Sequence, residues 1–116
     1  MIDNTRACIA LIAVGLISGK KTSSVYDHTQ SKHISISGKV DWTSVNIYDH
    51  DRECSVAGNP GTLYDYGSNA HIQIKINGNQ ISGYDFASNS HFSGSANGDS
   101  VTIYDHETSS HHNFSV

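Results

Sequence analysis

The sequence predicts an all-β fold with one N-terminal helix, in which five β-hairpin repeats of about 20 residues form a ten-stranded antiparallel meander. Three observations support this prediction: a recurring Tyr-Asp pair, Asn-Gly pairs between repeats, and alternation of apolar and polar residues. We expect a closed barrel filled by the helix; the alternative is an open, curled sheet with the helix across its apolar face. The tyrosines that mark the repeats are Tyr26, Tyr48, Tyr64, Tyr84 and Tyr104.

Residues 1–20 form the predicted helix, because residues 7–17 are the one long apolar run of the chain. The run is too short to span a bilayer. A helix that is apolar on every side is buried on every side, and we expect Asp3 or Asn4 to cap it and Gly19 to end it. The alternative is a secretory signal peptide, which would make the protein secreted or periplasmic instead of cytoplasmic.

Residues 21–116 form the predicted β domain, with a tight turn centred on Asn77-Gly78. Asn-Gly is the strongest short-range hairpin signal. A two-residue turn at this pair places Ile74 opposite Ile81.

Closure of a barrel requires that its strands be staggered. We place the stagger at the Tyr-Asp ends of the hairpins, where Phe86 is expected to face His91 across a four-residue loop. The last strand then pairs with the first, with Phe114 near Ser23.

One face of the predicted sheet is apolar and points into the barrel, because side chains alternate between the two faces of a strand. The helix is slim enough to fill the space, since it carries Ala10, Ala13 and Gly15. The residues expected to point inward are Val25, Ile34, Ile36, Val45, Ile47, Val56, Leu63, Ile72, Ile74, Ile81, Phe92, Val101, Ile103, Phe114 and Val116.

The aspartates of the Tyr-Asp pairs share this inward parity and form a rim at one end of the barrel. Helix and strand lengths place Arg6 level with this aspartate rim. We expect each Asp to accept backbone N–H bonds from the loop that follows it, and a cation site among the carboxylates is the alternative. The rim residues are Asp27, Asp49, Asp65, Asp85 and Asp105.

Charge and motif content argue against several function classes. The formal net charge is −4 with 7 Lys and Arg, so no basic surface for nucleic acid is predicted. No nucleotide-binding loop, zinc-binding Cys pair or nucleophile elbow is found in the sequence, so no catalytic residue is predicted. Residues 50–53, His-Asp-Arg-Glu, are expected to form a solvated turn, and Cys8 and Cys54 to be free thiols.

The histidines give a candidate metal site on the outer face. In the staggered register His28 faces His33, His106 faces His111, and closure brings the two pairs onto neighbouring strands. Opposed imidazoles on a sheet can chelate Zn²⁺, Ni²⁺ or Cu²⁺. We therefore predict a metal site at these four residues, with solvated histidines beside the turns as the alternative.

The outer tyrosines and the single tryptophan give a candidate contact surface for a partner protein or a small ligand. Their rings can stack on sugars or bases, and the alternative is a structural role in strand pairing. Trp42 lies in the longest turn loop, where it either plugs the barrel end or offers an exposed anchor. The predicted contact residues are Trp42, Tyr48, Tyr84 and Tyr104.

Together these features favour a non-catalytic binding or interaction module. A metal- or pH-responsive module that uses the histidines is one alternative, and a small enzyme is another. A filled interior disfavours an enzyme, because small barrels that hold a ligand keep room for it inside.

Overall fold

The computed structural model describes all residues, 1–116, as one helix and ten strands. The elements are α1 (Asp3–Ser18), β1 (Ser24–Asp27), β2 (Lys32–Val40), β3 (Val45–Asp49), β4 (Cys54–Asn59), β5 (Thr62–Asp65), β6 (Ala70–Asn77), β7 (Gln80–Asp85), β8 (Ser90–Asn97), β9 (Ser100–Asp105) and β10 (Ser110–Ser115).

The ten strands form one antiparallel meander that closes into a barrel. Each strand pairs with its neighbours in the chain, and β1 also pairs with β10. Closure leaves no strand edge without a partner. The predicted fold class is therefore confirmed, including the helix inside the barrel.

Helix α1 fills the barrel and is buried on every side from Thr5 to Leu16. Its small residues allow close approach: a Cβ added at Gly15 would lie 2.7 Å from Val40 Cγ1 on β2. The helix ends at Gly19 as predicted, with φ of 73° and a hydrogen bond from its N–H to the Gly15 carbonyl. Neither the length nor the composition of α1 makes it a candidate for crossing a membrane.

The predicted cap at the start of α1 is wrong. Ile2 occupies the N-cap position, and no side chain caps the helix. The two polar candidates have other partners, because the helix N-terminus lies among the rim carboxylates: Asp3 accepts a hydrogen bond from Arg6, and Asn4 donates to Asp49.

The core lies between α1 and the inner wall of the barrel. All of the positions predicted to point inward are buried, together with the apolar residues of α1. The face of each strand was therefore predicted correctly from the alternation of the sequence.

The register of the Asn-Gly hairpin differs from the prediction by two residues. Ile81 pairs with Ile76, and Ile74 pairs with Gly83. The two-residue connection is Gly78-Asn79, because Gly78 takes the positive φ (62°) at the first central position of the turn. Glycine at that position is what a type II′ hairpin turn requires.

The register at the Tyr-Asp end also differs, so the predicted pairing of Phe86 with His91 is wrong. His91 pairs with Tyr84, and a four-residue loop, 86–89, connects the strands. Asn89 precedes β8 in the left-handed conformation, with φ of 53°. The strand stagger therefore lies at the Asn-Gly turns and not at the Tyr-Asp loops.

The junction that closes the barrel shows a third difference in register. Strands β1 and β10 pair as predicted, but Phe114 lies opposite Asp27 and not near Ser23. In the first long hairpin, Val40 pairs with Val45 and the connection is 41–44. Every displacement is an even number of residues, so each side chain stays on its predicted face.

Candidate functional site

The aspartate rim is a structural feature of the Tyr-Asp loops. All five carboxylates are buried. Each accepts a hydrogen bond, of 2.9 to 3.2 Å, from the backbone N–H two residues ahead. This geometry confirms the expected Asx-turns. The donors are Thr29, Asp51, Gly67, Ala87 and Glu107.

The buried guanidinium of Arg6 meets the rim at Asp105, as the element lengths predicted. Arg6 Nη1 lies 2.8 Å from Asp105 Oδ2, and the Met1 amino group lies 3.2 Å from the same oxygen. Burial raises the pKa of the Asp105 carboxyl, but hydrogen bonds from the Glu107 N–H, Arg6 and the Met1 amino group, together with the charge of that amino group, lower it to below its usual value.

Residues 50–53 form the predicted turn, in which His50, Asp51 and Glu53 are exposed, but the prediction is wrong for Arg52. Its side chain folds inward and is largely buried; Nε lies 2.6 Å from Asp49 Oδ2 and Nη1 lies 3.1 Å from Asp65 Oδ2. Burial opposes the charge of Arg52, yet these two carboxylates raise its pKa above the usual value. The two otherwise unpaired carboxylates draw the arginine inward, because a buried charge requires a partner.

The two cysteines are free, as expected, and neither is activated. Cys8 is fully buried and Cys54 is half-buried. Burial raises the pKa of both thiols, which keeps them protonated near neutral pH. The charge of Arg52 favours the thiolate of both residues, but it does not outweigh burial.

An aromatic belt encircles the outside of the barrel at its Tyr-Asp end. The Tyr of each Tyr-Asp pair contacts the ring two residues ahead, and four of these five tyrosines also contact the ring of a histidine on the paired strand. Ring centroids lie 4.7 to 4.9 Å apart with steep interplanar angles, the edge-to-face arrangement that aromatic pairs favour. The belt consists of Tyr26, His28, His33, Tyr48, His50, Tyr64, Tyr66, His71, Tyr84, Phe86, His91, Tyr104, His106 and His111.

The histidines of the predicted metal site occupy this belt without facing one another. His28 and His33 lie on either side of Tyr26, at centroid distances of 4.8 and 4.7 Å. His106 and His111 flank Tyr104 in the same way. The predicted facing pairs are wrong, because Tyr26 lies opposite His33 and Tyr104 lies opposite His111. No three His, Cys, Asp or Glu side chains converge in a way that could hold a metal ion.

The largest cavity lies on the outer wall and not inside the barrel. It is a groove of about 750 Å³ over β6, β7 and β8, where two rows of outward side chains run side by side across the strands. Gly83, which has no side chain, lines the groove together with the short side chains of Ser82 and Ser93. The rows consist of Gln73, Tyr84 and His91, and of Lys75, Ser82 and Ser93.

Two smaller grooves adjoin the large one. A groove of about 250 Å³ beside β9 shares Ser93 and is lined by Tyr104 and His111. A groove of about 220 Å³ on the other side shares Gln73 and is lined by Phe86. The outer wall from β5 to β10 therefore carries a continuous strip of aromatic and polar side chains.

The predicted contact residues are divided among different surfaces. Tyr84 and Tyr104 line adjoining grooves. Tyr48, on β3, is 39% exposed and contacts only His50 within the belt. Trp42 lies at the opposite end of the barrel, 61% exposed, where its Nε1 donates to the Leu16 carbonyl at 3.0 Å. It therefore covers the C-terminus of the helix and remains exposed as well.

The sequence did not reveal the polar side of the large groove. Gln73 lies opposite Tyr84, and Ser82 opposite Ser93, only in the observed register; the predicted one sets Ser82 between Gln73 and Ser95. A turn at Gly78-Asn79 would have set Gln73 opposite Tyr84 and Lys75 opposite Ser82, and the positive φ that a glycine accepts readily is the only signal for it.

Comparison with known proteins gave no match to a protein-family model, a curated protein or a solved structure. The function is therefore argued from the geometry of the outer wall.

Proposed function

We propose that the protein is a non-catalytic binding module that takes an uncharged, hydroxyl-rich ligand, such as an oligosaccharide, in the large groove of its outer wall. The observation that supports this proposal most is the composition of the groove. The ring of Tyr84 lies beside hydroxyl and carboxamide groups, and Lys75 is the one lysine or arginine that lines the groove.

The groove suits sugars because a sugar ring has an apolar face and a hydroxyl-bearing edge. The ring of Tyr84 is held by edge contacts with Phe86 and His91, both 4.8 Å away, so little conformational entropy is lost when a ligand stacks on it. Hydroxyl and carboxamide groups at Ser82 and Gln73 can each donate and accept hydrogen bonds.

The filled interior directs binding to the outside. Residues of α1 such as Ile9 and Ile12 are completely buried, so the space in which small barrels hold a ligand is occupied by the chain itself. The formal net charge of −4, with only 7 Lys and Arg, supports a neutral ligand and not a nucleic acid.

Titration calorimetry with three neutral pentasaccharides, cellopentaose, N-acetylchitopentaose and maltopentaose, tests the proposal. At least one should bind, and Tyr84→Ala should weaken it by about tenfold or more, because truncation of an aromatic hot spot costs roughly 2 kcal/mol.

Tyr64→Ala is the matched control. Tyr64 has the same place in its strand and the same two edge contacts, with Tyr66 and His71, but it lines no groove. Its replacement should leave the affinity unchanged. Absence of binding by all three saccharides, or equal losses in the two variants, would refute the proposal.

A further inference from the structure

We infer that His91 and His106 form a two-imidazole site for a late first-row divalent cation, such as Ni²⁺, Zn²⁺ or Cu²⁺. This pair differs from the facing pairs that the sequence predicted, and the inference is independent of saccharide binding in the groove.

The strand register places the two histidines directly opposite each other. Phe92 pairs with Asp105, and the next position along the ladder sets His91 against His106, with a hydrogen bond of 3.1 Å from the His106 N–H to the His91 carbonyl. Directly opposed residues on antiparallel strands have Cβ atoms about 4.5–5.5 Å apart, a distance at which two imidazoles can share one metal ion.

Both rings lie on the outer face and are available to a ligand. Both residues are exposed, and both line the large groove. His28 and His50 each bond a serine hydroxyl through Nε2, whereas the ring nitrogens of His91 and His106 have no partner within the protein.

Each ring is also held in place by a tyrosine of the belt. His91 contacts Tyr84 at a centroid distance of 4.8 Å, and His106 contacts Tyr104 at 4.9 Å. Ordered rings lose less entropy on ligation. Imidazole is a preferred ligand for Zn²⁺, Ni²⁺ and Cu²⁺, whereas Mg²⁺ and Ca²⁺ require oxygen ligands.

The other hairpins provide internal comparisons for this geometry. In each repeat, the residue two positions after the Tyr of the Tyr-Asp pair faces a residue on a neighbouring strand. Phe86 faces His71, and Tyr66 faces Ser55, as the backbone hydrogen bonds show. Of the five equivalent positions, only the one in β8 and β9 has histidine on both sides.

Calorimetric titration of the full chain with Ni²⁺ tests the inference, with Mg²⁺ as the control cation. The wild type should bind one Ni²⁺ per chain and no Mg²⁺. His91→Ala and His106→Ala should each weaken Ni²⁺ binding by at least about tenfold. Loss of a residue that only supports a metal ligand already lowers metal affinity by about 10–100-fold, and these two residues would be the ligands themselves. His33→Ala, which removes a belt histidine with no histidine opposite, should leave it unchanged.

A gain-of-site variant completes the test. Phe86→His places an imidazole opposite His71 in the same geometry, and this variant should bind two Ni²⁺ per chain. Far-UV circular dichroism establishes that each variant is folded. No Ni²⁺ binding by the wild type, undiminished binding by either alanine variant at residues 91 and 106, or a single Ni²⁺ in the Phe86 variant would each overturn the inference.

Discussion

Arg6 Nη1, carried on the helix inside the barrel, lies 2.8 Å from Asp105 Oδ2, 99 residues later in the chain, and both side chains are buried. This ion pair joins the start of α1 to the wall at β9. It fixes the depth of the helix in the barrel, because a buried charge that lost its partner would be strongly destabilising. The filled interior that directs ligands to the outer wall depends on this placement.

Removal of residues 1–18 should abolish the cooperative fold. The inner wall then loses its packing partner, and the expected product is aggregated or molten, with bound hydrophobic dye and no near-UV circular dichroism. A shortened chain with the near-UV spectrum and melting temperature of the full chain would show that the barrel does not need its helix.

Gly83→Ala should destabilise the protein by about 2 kcal/mol or more, an overpacking cost. A Cβ at this position would lie 2.0 Å from the Gln73 carbonyl oxygen and 2.4 Å from Phe92 Cζ. Ser82→Ala, next to it on the outer face, should change the free energy of unfolding by less than about 0.5 kcal/mol. Urea unfolding measures both, and equal effects would contradict the placement of residue 83 on the inner face of β7.

Arg52→Gln should cost about 3 kcal/mol of stability, because it leaves the buried carboxylates of Asp49 and Asp65 without their shared cation. Lys32→Gln is the control: Lys32 pairs with Asp51 at 3.6 Å on the surface, and its loss should cost no more than about 1 kcal/mol. If the two variants unfold at the same urea concentration, Arg52 is not a structural cation.

The melting temperature should fall in two steps on acidification. Burial lowers the pKa of His112, and the positive charge of Arg6 lowers it further. The contribution of neutral His112 to stability is therefore complete above the unfolded pKa of about 6.5, and it is lost as the pH falls through the lower folded pKa. Asp105, whose folded pKa is also lowered, contributes fully above about pH 3.9 and loses that contribution in stronger acid.

His112→Gln should remove the first step, so that its melting temperature changes little between pH 7.5 and pH 5.5 while that of the wild type falls. His71→Gln, an exposed belt residue, should melt as the wild type does at both values. Persistence of the first step in the His112 variant would assign it to another group.

The alternation of the sequence was sufficient to predict the fold class and the face of every strand. It could not determine register, because a shift of two residues leaves Ile74 and Ile81 buried in either pairing. Register depends on whether Gly78 is the first or the second central residue of its turn, and the Asn-Gly motif favours the wrong choice.

The errors in the pairing of the histidines are also errors of register. His106 was expected opposite His111, and in the structure it lies opposite His91. The inward turn of Arg52 was missed for a different reason: its partners, Asp49 and Asp65, are on different strands, and the sequence alone does not say that both carboxylates need one cation.

The most direct test of the account is residue-by-residue amide NMR of the full chain during titration with the three pentasaccharides. Binding on the outer wall predicts chemical-shift changes confined to the strand residues of the large groove, centred on Gln73, Tyr84 and His91, with the amides of α1 unmoved. Changes at interior helix residues such as Ile9 and Ile12, or no change with any of the three saccharides, would contradict it.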